Sequence, residues 1–238
     1  MTMPHASITR HCIATLLIAL PIAAAAQDPA SVPAPRFRAD STWTFHSVGG
    51  QGSRIAESDT QWRLVGQNSD GDWIFWRGKP TPSAPASRPV ITVTTGVTSP
   101  SWEGRDTTGN EDRNELPLSF PLAAGKTWDV VFDHQIGAVW AHGERHYRAI
   151  GWEDVTVPAG RFRALRIDMD GGNWRIDPPH PGQAGARPQR AADLSMTQQS
   201  WYVPGVQNVV REIDDATAPN IASHRHYVME LTGYTLAP

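Results

Sequence analysis

WEDVTVPAGRFRALRIDMD, residues 152–170, is the stretch from which the fold is read. Val155 and Val157 precede a Pro158-Ala159-Gly160 corner, and Leu165, Ile167 and Met169 follow it at every second position. Bulky and β-branched residues at a spacing of two suit a pleated strand with one buried face, so the two runs read as the arms of a hairpin. Proline presets φ at the first corner position, and glycine reaches positive φ without a Cβ clash, which gives the turn a mechanism. The corner holds no reactive side chain.

The same signature recurs on either side. Runs of β-formers bounded by turn residues cover 43–45, 55–65, 73–76, 90–95, 116–120 and 127–133. In the last, Trp128, Val130 and Phe132 point one way while Thr127, Asp129 and Asp133 point the other, the pattern of a half-buried strand. Tyr227, Met229 and Leu231 oppose His226, Glu230 and Thr232 in the same manner. Asp70-Gly71 marks a second hairpin between the runs at 55–65 and 73–76. A short echo joins Thr42-Trp43 to Thr127-Trp128, each a turn leading into a strand. No comparable stretch carries a helical period, so the fold class is all-β and antiparallel.

Two segments break the rhythm: residues 78–89 (GKPTPSAPASRP) and 177–193 (DPPHPGQAGARPQRAAD). Proline has no amide to give to a ladder, so both read as loop insertions rather than central strands. Residues 27–39 hold three prolines and few core candidates and read as a flexible leader. A single β domain is expected over 40–238.

Residues 1–26 read as a secretory signal. Arg10 and His11 precede an apolar run that ends in Ala24-Ala25-Ala26, with cleavage expected before Gln27. The run is shorter than the roughly 20 residues of a spanning helix, and no second such run follows. An exported chain, periplasmic or extracellular and not integral to the membrane, is the expectation. Cys12, the single cysteine, lies before the apolar run and not at the cleavage point, which argues against a lipid anchor and leaves the mature chain without a thiol. With 21 Lys and Arg against 24 Asp and Glu, the net charge is −3 without blocks of either sign, so nucleic-acid binding has no electrostatic support.

Ten tryptophans are the richest remaining feature. Their rings can fill a β core or line a cavity. Trp73 and Trp76 face opposite sides of a regular strand, and one of them in a lumen can stack on a carbohydrate or an apolar ligand. Trp174, beside the second proline-rich segment, is a further candidate. For metal binding, His142 and His146 lie in HGERH, and His224 and His226 in HRH, where a strand puts the latter two on one face. HGERH lacks the glutamate position of a helical zinc site, and Gly143 speaks against the helix. Asp168 with Asp170 reads as a polar strand end, and Asn68, Asp70 and Asp72 as a turn without the distal glutamate of a calcium loop. No nucleophile elbow or phosphate loop is present, so no catalytic residue and no cofactor is assigned.

Three phrases carry a resemblance: SFPLAAGKTW at 119–128, VTVPAGRF at 155–162 and WYVPGV at 201–206. In this order they resemble the TapB-like proteins and related exported bacterial domains of unknown function, over the chain from Ser119 onward. The resemblance implies a largely antiparallel barrel or strongly curved half-barrel, with no catalytic residues to carry over. Gln207-Asn208 stands where a second glycine is expected, which argues against a tight turn there. The reading that follows is an exported, non-catalytic binding or envelope-associated module. Its partner is a small apolar or carbohydrate ligand, or an envelope protein. The alternative is a periplasmic hydrolase or metal-dependent enzyme built on the histidines.

Overall fold

A computed structural model of the chain describes residues 28–67, 73–80, 91–93, 118–136, 139–177, 189–218 and 223–238. Among the described residues ten strands form one sheet: β1 (Thr42–Gln51), β2 (Arg54–Gln67), β3 (Trp73–Gly78), β4 (Ile91–Val93), β5 (Thr127–Ile136), β6 (Val139–Val157), β7 (Gly160–Asp177), β8 (Gln189–Val203), β9 (Asn208–Ala218) and β10 (Ser223–Thr235). Their order is β4-β3-β2-β1-β10-β9-β8-β7-β6-β5, and every neighbouring pair is antiparallel. Among the described residues β4 and β5 are edges, so the sheet is an open, curved half-barrel and not a closed barrel.

The hairpin of 152–170 bends this sheet back on itself. Val157 pairs with Gly160 across the Pro158-Ala159 turn, and Gly160 takes φ of 138°. One side of the hairpin gives Val155, Val157 and Ala164 to an apolar cluster with Trp43, Phe45, Trp62 and Leu231. Leu165, Ile167 and Met169 join a second cluster with Tyr147, Ala149 and Tyr202. Burying each large apolar side chain contributes roughly 1.5–3 kcal/mol against leaving it exposed, so a hairpin packed on both faces is the main joint of the fold. β9 leaves β10 after the Arg211–Glu230 pair, and the amide of Ala159 then donates to the carbonyl of Leu231 at 3.0 Å.

Residues 28–38 differ from the flexible leader expected of them. Val32 is 3% exposed, exchanges backbone hydrogen bonds with Leu122, and packs among Leu118, Leu122 and Tyr147. Phe37 meets Trp73 and Phe75 edge to face, and Asp28 accepts two hydrogen bonds from Arg163. The scattered apolar side chains of this segment cap sheet surface that water would otherwise reach. Residues 118–120, expected as a strand, are irregular, and Leu118 and Leu122 serve that second cluster instead. β8 begins at Gln189, inside the segment expected as loop, because the prolines end before it and its amides are free to pair with β7. The turn after Val203 is tight after all: Gln207 adopts φ of 61°, donates its amide to the Val203 carbonyl, and so takes the backbone conformation expected of the missing glycine. Residues 1–26, expected as a signal, the turn expected at Asp70-Gly71 and the proline-rich residues 81–89 and 178–188 lie outside the described residues.

Alternation at the two strands quoted above holds. Phe132, Met229 and Leu231 are buried while Val131 is 62% exposed. Trp43 and Trp128 both face a core: Trp43 donates its indole N–H to the Val206 carbonyl at 2.8 Å, and Trp128 stacks on Tyr147. The buried polar side chains include Arg145, 1% exposed on the same face as Tyr147, and Glu212, 3% exposed. Arg145 donates to the carbonyls of Glu144 and Gly172, each at 2.9 Å, and lies over the Phe132 ring.

Candidate functional site

Strand register builds a distinct surface on the outer face of β9, β10, β1 and β2, the face opposite Phe45 and Met229. Directly opposed residues form crosswise rows. The middle row is Ile213, Val228, Val48 and Glu57; the row above is Asp215, His226, Gly50 and Ile55; the row below is Arg211, Glu230, His46 and Asp59. Three apolar side chains on adjacent strands are thus bordered by charged and imidazole groups. Between Val48, Gly49, Gly50, Val228, Ile55 and His226 lies a groove of about 330 Å³, the lower end of the range for small-ligand sites. Ile55, one wall, is 73% exposed. Gly50 lets the β2 backbone come close, because a Cβ there would meet the Arg54 carbonyl oxygen at 2.0 Å.

The rim is ordered by hydrogen bonds. Asp215 Oδ1 accepts from His226 Nδ1 at 2.9 Å and from His224 Nε2 at 3.1 Å. The hydrogen bond from His226 leads in holding the Asp215 carboxyl below its ordinary range, His224 adds to it, and burial opposes them. His46 Nδ1 meets Asp59 Oδ1 at 2.8 Å, and Arg211 Nε stands 3.3 Å from Glu230 Oε1.

The sequence-predicted residues divide between this surface and other places. His224 and His226 share a face, and both reach Asp215, a partner the sequence alone does not single out. His142 and His146 lie on β6, a strand and not a helix. His146 Nδ1 meets Asp129 at 2.7 Å, while the His142 ring packs 4.5 Å from that of Trp174. Asp170, Thr197 and Asp215 separate His146 from His226 in one row across the sheet. At about 4.8 Å per strand that is roughly 19 Å along the sheet, so the two histidine pairs are not brought together. Among the described residues no group of three or more His, Cys, Asp or Glu is arranged to hold a metal ion. Trp73 is half-buried against Phe37, and Trp76, on the opposite face of β3, is 5% exposed. Neither lines the groove.

These features define a class: an open, curved antiparallel sheet with a small groove on its outer surface. No family model and no curated protein matches the chain. Solved structures similar to it include a protein of Bacteroides fragilis described as exported and as having a YmcC-like fold, with 12% identity, a TM-score of 0.37, and coverage of 86% of this chain and 99% of that one. The lipoprotein YmcC of Escherichia coli, described as hypothetical, gives 11%, 0.32, 82% and 85% for the same quantities. A protein of Parabacteroides distasonis described as a lipoprotein gives 10%, 0.36, 88% and 100%. At these identities and scores no activity, ligand or partner passes from them to this chain. Among the described residues no helix is long and apolar enough to cross a membrane.

Proposed function

We propose that this chain is an exported, non-catalytic binding module whose ligand lies in the outer-face groove. The observation that carries the reading is the apolar lining of the groove by Val48, Val228 and Ile55 on neighbouring strands, with Gly49 and Gly50 between them. An apolar strip between polar borders is the usual composition of a small-molecule site. Export rests on the secretory signal read in residues 1–26, and the TapB-like resemblance, which is one of sequence phrases, agrees with it. The second reading, a metal-dependent enzyme, draws on the convergence of His224 and His226 on Asp215.

Native mass spectrometry of the full exported chain tests both. A bound organic mass that disappears in Val48→Trp, with the fold retained by circular dichroism, supports the binding module. A bound metal lost in the His224→Ala, His226→Ala double variant supports the enzyme instead. An organic mass unaffected by Val48→Trp places the ligand elsewhere and overturns the groove.

A further inference from the structure

The groove has a chemical preference beyond its apolar floor, and this inference rests on the binding reading above. Glu57 stands directly opposite Val48, and Asp59 opposite His46, on the same face as the groove. Glu57 and Asp59 are exposed, and Glu230 and Asp215 stand on the neighbouring strands. Four acidic side chains therefore stand around the apolar lining of Val48, Val228 and Ile55. The guanidinium at this border, Arg211, sits against Glu230. Arg54 and Arg225 are both opposed to Gln51, one residue along from Gly50, so the pleat sends them to the opposite face. The fixed charge on the groove side is negative, and low-dielectric walls strengthen such a field locally.

We infer that the groove takes an organic cation with an apolar body, the body on Val48 and Val228 and the positive head toward Glu57 and Asp59. An anionic amphiphile of the same size meets the same floor but a repelling border. Net charge of the chain does not produce this preference: beside Val48 the face carries Glu57 and Asp59, Arg54 and Arg225 leave it, and Arg63, which shares it, stands two rows beyond Asp59.

The test is calorimetric titration of the full chain at low salt with hexyltrimethylammonium, hexanol and hexanoate. The expected order is cation, alcohol, anion, with about a tenfold span between cation and anion, and a weaker cation at high salt. The double variant Glu57→Gln, Asp59→Asn, both exposed, is expected to bring the cation to the level of the alcohol. If hexanoate binds as well as the cation, or the double variant binds the cation unchanged, the charge inference is overturned while the groove stands. If none of the three binds, groove and charge preference fall together.

Discussion

The amide of Ala159, at the tip of the β6–β7 hairpin, donates to the carbonyl of Leu231 on β10 at 3.0 Å. β9 separates from β10 just before this point, so the hairpin tip supplies the hydrogen bond that the neighbouring strand no longer gives. The corner that marks the hairpin in the sequence is therefore also where the curved sheet is tied to itself.

Gly160 sets the geometry of that tip. Its φ of 138° lies where β-branched residues are strained, although a Cβ would meet only Phe162, at 3.8 Å. Gly160→Val should lower stability by about 1–3 kcal/mol through backbone strain alone. Thermal unfolding checks this; an unchanged midpoint would mean the turn tolerates a side chain that its φ forbids.

The reverse change is expected at the next turn. Gln207 holds φ of 61° with a full side chain. A residue other than glycine, asparagine or aspartate in this region costs about 1–2 kcal/mol. Gln207→Gly should raise the unfolding midpoint, less the entropy that glycine adds to the unfolded chain. A lowered midpoint would show that the side chain of Gln207 contributes more than its backbone costs.

Gly171 answers to close packing. A Cβ on it would stand 2.2 Å from the Glu144 carbonyl oxygen and 3.0 Å from the Arg145 side chain. Backbone cannot yield as a side-chain end can, so Gly171→Ala should cost about 1–3 kcal/mol and disturb the buried Arg145. Chemical denaturation measures the loss, and a neutral result would count against this approach of β6 to β7.

His146 should titrate above its ordinary value of 6.5, chiefly through its hydrogen bond to Asp129 and also through the charges of Asp129, Asp170 and Glu144, with burial opposing. A raised folded pKa favours the folded state fully below the unfolded value and loses that advantage as pH rises through the folded value. Asp215, held low, behaves oppositely: its contribution is present above the unfolded pKa and lost as pH falls through the folded one. Both groups are largely exposed, so the stability terms are small and the titrations are the readout. By nuclear magnetic resonance, Asp129→Asn should bring His146 down while leaving Asp215 unmoved.

Periodicity made the strands legible, because each buries one face and so writes every second residue as apolar. Val155 with Val157, Trp128 with Phe132, and Met229 with Leu231 all show this. Glycine hid the outer end of β1: Val48-Gly49-Gly50 has no alternation to read, yet it forms the groove. Register was hidden as well, since nothing local in Val48, Val228 and Ile213 states that they face one another across three strands. The docking of Val32 and Phe37 stayed out of sight for a related reason. Single apolar residues among prolines look like a tether until a surface is known for them to cover.

The pairing of β1 with β10 sets Thr42 opposite Thr235, nearly the full described length of the chain apart. During synthesis from the N-terminus, the first hairpin emerges long before the strand that completes it. Closure of so long a loop is entropically slow and precedes any return from the contact it makes. Until then β1 keeps an open hydrogen-bonding edge, the kind of surface a holding chaperone shields.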